Sequence, residues 1–350
     1  MNKPTFLTTG GAGFIGSNFI RFMLSNYKDS IKVINLDSLT YAGNLENLSE
    51  IDHLPNYRFI KADICDEQAV DYIFLNNDID FCVHFAAESH VDRSIKDPSV
   101  FVKTNVLGTV NLLNAAKKHW QTGTGFKSGK KFVQVSTDEV YGSLGAEGYF
   151  TEKTPLAPHS PYSASKASAD MLVQSYFDTY GFPMNITRCS NNYGPFQFPE
   201  KLIPLVINNA RAGKPLPVYG DGKNVRDWLY VEDHARAIDL VARKGTPGEV
   251  YNVGGHNELQ NIEIVKIILD SLGSSHDLIT YVEDRLGHDR RYAIDASKIK
   301  SELGWEPETS FGVGIKRTIE WYLKNNGWLK NAASGDYLKY YERMYGGTNP

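Results

Sequence analysis

The chain is poor in cysteine, carries little net charge and has no long apolar run. Its three cysteines, Cys65, Cys82 and Cys189, are too few and too widely spaced for a disulfide framework. Each sits within apolar residues and reads as a buried thiol. No Cys/His spacing matches a metal site. A formal net charge of −4 gives no broad basic field for nucleic acid or an anionic membrane, so local basic residues must meet any phosphate. No apolar segment approaches about 18 residues, which excludes a membrane-spanning helix. The first apolar residues run straight into a glycine motif instead of a signal-peptide pattern. Repeats and low-complexity tracts are also lacking. The remaining profile, 41% hydrophobic and 22% charged over 350 residues, is that expected of a cytoplasmic enzyme with one large α/β domain and a smaller one.

The glycine motif is Thr8-Thr9-Gly10-Gly11-Ala12-Gly13-Phe14-Ile15-Gly16-Ser17. An apolar run, 4–7, precedes it, and Phe19, Ile20, Phe22, Met23 and Leu24 follow at helical spacing. Strand, glycine turn and helix in that order present backbone N–H groups and a helix N-terminus to a phosphate. Asp37 ends the next apolar run, 31–36, roughly 20 residues beyond Gly16, where an acid holds a ribose hydroxyl and favours NAD over NADP.

Further strand-like runs at 57–60, 79–85, 131–135 and 184–187 alternate with helical stretches at 66–75, 100–120 and 161–180. This predicts a doubly wound parallel sheet with helices on both faces. The stretch 121–129 reads as an exposed loop. The pattern changes near Cys189. Residues 1–190 are expected to form the dinucleotide domain, with about 225–245 returning to it. Residues 191–350 are expected to form mainly a smaller mixed α/β substrate domain, fraying at 344–350.

Three groups of residues could carry chemistry. Ser160 can cap a helix beginning at Pro161, which places Tyr162 and Lys166 four apart on one face. An ammonium near the phenol is expected to bring it down from about 10 towards neutrality, so that it can take a proton from an alcohol. Asp138 and Glu139 follow a strand in Ser136-Thr137-Asp138-Glu139-Val140-Tyr141-Gly142. They point apart in extended chain and share a substrate only if the backbone turns there. Spacing alone leaves them equally readable as acids decorating a helix N-terminus. Arg226, Arg285, Arg290 and Arg291 stand beside glycines, as suits phosphate binding.

Taken together, the Gly10-x-x-Gly13-x-x-Gly16 loop and the Tyr162-x-x-x-Lys166 pair resemble the extended short-chain dehydrogenase/reductase superfamily, which acts on nucleotide sugars with a Rossmann-type fold. The finer resemblance, over roughly residues 4 to 325, is to the dTDP-glucose 4,6-dehydratases. It rests on Asp37-Ser38-Leu39-Thr40-Tyr41-Ala42-Gly43-Asn44, Ala86-Ala87-Glu88-Ser89-His90-Val91-Asp92-Arg93, Thr137-Asp138-Glu139, Asn191-Asn192-Tyr193-Gly194-Pro195, Pro199-Glu200-Lys201-Leu202 and Gly287-His288-Asp289-Arg290-Arg291-Tyr292.

That resemblance implies an NAD-dependent hydro-lyase. Tyr162 would deprotonate the sugar 4-hydroxyl with Thr137 beside it, Glu139 would act as base at C5, and Asp138 would protonate the departing 6-hydroxyl. It implies NAD contacts from Gly10, Gly13, Phe14, Ile15, Gly16, Asp37, Ser38, Leu39, Thr40, Asp63, Ile64, Ala86, Ala87, Ser89, Thr104, Tyr162, Lys166 and Asn192. Substrate contacts would come from Ser89, Thr137, Asn191, Lys201, Leu202, Pro217, Tyr219, Arg226, Asn261, Arg285, His288 and Tyr292. It further implies a homodimer through helices at about 100–120 and 161–180, and a product serving deoxysugar synthesis of the rhamnose type. A UDP-glucose 4,6-dehydratase shares Thr-Asp-Glu, and a UDP-sugar 4-epimerase shares the tyrosine and lysine.

Overall fold

The computed structural model describes residues 3–332; the expected fraying at 344–350 lies outside them. Seven parallel strands form the main sheet, in the order Val250–Val253, Met184–Cys189, Lys131–Thr137, Phe81–His84, Thr5–Thr9, Lys32–Asp37, Tyr57–Lys61. This is the expected doubly wound order, reversing between Thr5–Thr9 and Phe81–His84. Ligands of such sheets bind beyond the strands' C-terminal ends at that reversal.

Side chains alternate between two buried faces. Phe6, Val33, Val83 and Val133 pack under helices Phe14–Tyr27 and Val231–Lys244. Their neighbours Leu7, Ile34, Cys82 and Phe132 pack under helices Gly108–Trp120 and Pro161–Tyr180. A separate core, with Tyr193, Ile207, Trp228, Ile268 and Phe311, holds the smaller unit together. Helices Leu202–Arg211, Asn261–Leu272 and Phe311–Lys324 surround it.

Several boundaries differ from the sequence reading. The chain rejoins the main sheet layer at helix Val231–Lys244, not at 225. Strand Val225–Tyr230 pairs instead with Asn191–Tyr193 and Glu258–Gln260 in a small sheet. Strand Val250–Val253 then closes the edge of the main sheet. The helical run expected at 100–120 begins at Pro98, where Asp97 caps the Ser99 N–H at 3.1 Å, and it contains a π-helical turn, Val102–Leu107. Within that turn Asn105 is buried and bonds both backbone groups of Glu88 and the Ser165 hydroxyl. Part of the expected loop at 121–129 is a short hairpin. Cys65 is only half-buried, since the loop after Asp63 places it at the surface with its thiol donating to the Lys103 carbonyl.

Candidate active site

The glycine loop is held against the reversal point. Gly10 has a φ of +70°, and a Cβ there would lie 2.6 Å from the Ala86 nitrogen. A Cβ on Gly16 would lie 2.3 Å from the Gly10 carbonyl oxygen. Gly13 is the N-cap of helix Phe14–Tyr27 and has no side chain to cap it, so the first N–H groups and the positive end of the helix dipole face the cleft. Asp37 lines the same cleft. Its carboxylate accepts from the Ala12 N–H at 2.9 Å and the Leu39 N–H at 2.8 Å. Burial raises the Asp37 pKa and these two donors oppose it. With about four lone-pair sites, the carboxylate keeps acceptors for ribose hydroxyls. These residues fit a dinucleotide.

A cavity of about 320 Å³ runs from this loop to Tyr162 and Lys166. Every expected cofactor position lines it except Leu39, whose N–H is instead turned onto Asp37. Asn192 lines it, but its amide is engaged by the Ser190 carbonyl, the Cys189 sulfur and His234. Thr104 reaches the cavity from the π-helical turn. Sequence reasoning missed Ser136, Cys189, Gln197 and Glu200 on the wall. The last two sit in the turn-rich stretch after Cys189, where no periodicity marks a facing side.

A second cavity, about 190 Å³, brings together Ser89, Asn191, Lys201, Leu202, Pro217, Tyr219, Arg226, Asn261, Arg285, His288 and Tyr292. Thr137 faces only the first cavity, whereas Glu139, Ser89, Asn191 and Lys201 border both. The four arginines divide. Arg226 lies over the Tyr292 ring at 4.2 Å and donates to the Asp289 carbonyl, and Arg285 pairs with Asp92 at 3.0 Å; both line the pocket. Arg290 turns away to form a two-pronged pair with Asp221, and Arg291 donates to the Gly148 carbonyl.

At the junction the backbone makes the turn that two adjacent acids require. A 3₁₀ turn, Asp138–Tyr141, follows strand Lys131–Thr137. It is capped by Thr137, whose hydroxyl accepts from the Glu139 N–H at 3.3 Å. It closes at Gly142 with a φ of +87°, where a Cβ would meet the Ala157 carbonyl at 2.4 Å. The acids differ in setting. Asp138 is 1% exposed. Burial, then Glu139 and Asp227, push its carboxyl well above the usual range, which favours its protonated form. Glu139 is half-buried; burial raises it too, but Arg226 and Lys201 draw it back towards the carboxylate. Both carboxyl groups are raised, Asp138 far more than Glu139, and that difference suits Asp138 to act as the acid and Glu139 as the base.

Tyr162 and Lys166 share one face of helix Pro161–Tyr180, whose start carries the Ser160/Ser163 capping box. Their electrostatics differ from the expectation. Burial, then Glu139, Cys189 and Asp138, push the Tyr162 phenol well above its ordinary value, with a hydrogen bond from Thr137 opposing. The Lys166 ammonium donates to the Val135 carbonyl at 2.8 Å, and burial lowers it. The phenol is thus raised, where the Tyr162/Lys166 spacing predicts that it is lowered.

The GDP-mannose 4,6 dehydratase family model matches residues 7–318. A dTDP-glucose 4,6-dehydratase of Salmonella typhimurium is 53% identical over 97% of this chain and 99% of its own. The Bacillus anthracis dTDP-glucose 4,6-dehydratase, solved in complex with NAD, superposes with a TM-score of 0.86 at 53% identity, covering 94% of this chain and 99% of that one. The Streptomyces venezuelae enzyme of the same name, also solved with NAD, gives 0.88 at 49% identity over 94% and 99%. With the glycine loop, the acid turn and the tyrosine–lysine face on one cleft, and relatives this similar along nearly the whole length, the chain belongs to the dTDP-glucose 4,6-dehydratase family.

Proposed function

We propose that this site converts dTDP-glucose to its 4-keto-6-deoxy derivative by oxidation at C4, loss of water across C5 and C6, and reduction at C6. The observation that carries the reading is the 3₁₀ turn holding Asp138 and Glu139 where the two cavities meet. An epimerase, which removes no water, has no need of that pair.

NAD would be held by the glycine loop and the Phe14 helix N-terminus at its phosphates and by Asp37 at a ribose, with Asp63, Ile64 and Thr104 along the wall. Bound NAD supplies reversible two-electron exchange, accepted from C4 and returned at C6, and in its oxidised form a positive charge opposing the two carboxyl groups. Tyr162 would act as its phenolate in taking the 4-hydroxyl proton; the hydrogen bond from Thr137 and the positive charge of bound NAD favour that form against the burial and acids that raise the phenol. The resulting ketone acidifies the C5 proton, which Glu139 removes. Asp138 protonates the departing 6-hydroxyl, which leaves as water. Glu139 then returns its proton to C5. Arg226, Arg285 and Lys201 offer cationic partners for the diphosphate in the second cavity.

The protein is also read as a cytoplasmic homodimer feeding rhamnose-type deoxysugar synthesis. Supporting the dimer, Val100, Val102, Leu107 and Met171 are exposed on the helices named for it. The test of the reaction is incubation with dTDP-glucose, and separately UDP-glucose, without added reductant. The keto sugar from dTDP-glucose, formed faster than from UDP-glucose, is the expected result. No keto sugar from either would sink the reading, and faster turnover of UDP-glucose would reassign the base.

A further inference from the structure

The end of the described chain reaches back to the glycine loop. Trp328, on helix Asn326–Ala332, donates its indole N–H to Asn47 Oδ1 at 2.7 Å, across 281 residues of sequence. Asn47 is 1% exposed and donates from Nδ2 to the Ala12 carbonyl at 2.9 Å. The same carbonyl accepts the Asn44 N–H at 3.0 Å, while the Ala12 N–H is held by Asp37. An indole N–H can only donate and a carbonyl can only accept. The indole therefore fixes which way the Asn47 amide faces and leaves the NH₂ group for Ala12. Without the indole the Asn47 oxygen loses its donor in a buried site, and among the described residues the amide is tethered by the Ala12 carbonyl alone.

Ala12 lies between Gly11 and Gly13, and glycine resists neither peptide rotation nor loop drift. Its carbonyl sets the plane of the peptide entering Gly13, the N-cap, and thereby the direction of the N–H groups that meet a phosphate. Trp328 itself is seated in an aromatic cluster with Trp321, Tyr322 and Phe196.

We propose that Trp328 and Asn47 are positioning residues that hold the glycine loop in its dinucleotide-binding form and so set how long NAD stays bound. This rests on the reading of the cleft as an NAD site. The test compares wild type, W328F, N47D and W321F, which changes the same cluster without the bond to Asn47. The measurements are NAD content after purification, NAD dissociation rate, dTDP affinity, thermal midpoint and kcat with saturating NAD. For one lost net hydrogen bond, W328F should release NAD roughly 5–10-fold faster, and N47D, with no donor for Ala12, faster still. dTDP affinity and kcat of W328F at saturating NAD should hold, and W321F should retain NAD like wild type. NAD loss in W321F equal to that in W328F, or unchanged release in a folded W328F and N47D, overturns the proposal. A wild type that binds no NAD in any arm defeats the cofactor reading instead.

Discussion

Arg188 donates from Nε to Asp170 Oδ2 at 2.9 Å, and the pair is buried one helical turn behind Lys166. Arg188 also donates to the Tyr141 hydroxyl, which in turn bonds Asn252. One guanidinium thus ties the helix of Tyr162 to the acid turn and to the edge strand. Removing one partner leaves an uncompensated buried charge, so D170N should lower unfolding free energy by about 3–5 kcal/mol, measured by urea denaturation. A loss below about 1 kcal/mol, the range of exposed pairs, would mean that the pair does not bear on stability.

Among the described residues Asp138 has one hydrogen-bonding contact, with the Thr137 hydroxyl at 3.3 Å, and a second oxygen with no partner. That leaves its proton available to a leaving hydroxyl. D138N should slow water loss about 10²–10⁴-fold while leaving C4 oxidation, followed as the reduced-cofactor absorbance, measurable. A 6-deoxy-6-fluoro analogue, whose fluoride needs little protonation to leave, should recover most of the lost rate. If the analogue gains nothing, Asp138 is not the acid.

The same burial has a signed effect on stability. Asp138 is raised when folded, so the native state binds its proton more tightly than the unfolded chain does. Stability from this group is complete below about pH 4 and is lost as pH rises towards the folded pKa. The unfolding free energy of wild type should fall over that range, and D138N should flatten the slope. For turnover the signs are opposed: Glu139 must be ionised and Asp138 protonated, so the rate should fall at both ends of a bell whose apparent pKa values belong to the pair. Equal stability slopes for wild type and D138N would contradict the placement of Asp138.

What was legible in the sequence was local. Phe6 and Leu7, or Val33 and Ile34, announce strands by neighbouring apolar residues, and Gly10, Gly13 and Gly16 announce a turn because their spacing survives without tertiary context. Ser160-Pro161 marked a helix start for the same reason. The apolar run 228–231 could show a strand but not which sheet would receive it. Distant pairings left no trace: Trp328 with Asn47, and Arg285 with Asp92. Nor did residue type reveal the left-handed backbone at Leu39 or Phe196, because neither is glycine. The upward push on the Tyr162 phenol was not legible, because its burial and the turn that brings Asp138 and Glu139 to it are tertiary.

The exposed faces of the two long helices give the last prediction. Val102 and Leu107 are 50% and 55% exposed on the π-helical turn, and Met171 is 56% exposed on helix Pro161–Tyr180, which packs against that turn. A twofold interface would cover this patch with its own copy, and each large apolar side chain fully buried is worth about 1.5–3 kcal/mol. L107D with M171D places four carboxylates across such an interface in an apolar setting. Sedimentation should therefore find wild type as a dimer and the double variant as a monomer, with association weakened on the order of 10³-fold or more. Because these helices also carry Thr104, Tyr162 and Lys166, the monomer should show a lower thermal midpoint and reduced turnover. A double variant that still sediments as a dimer would place the interface elsewhere.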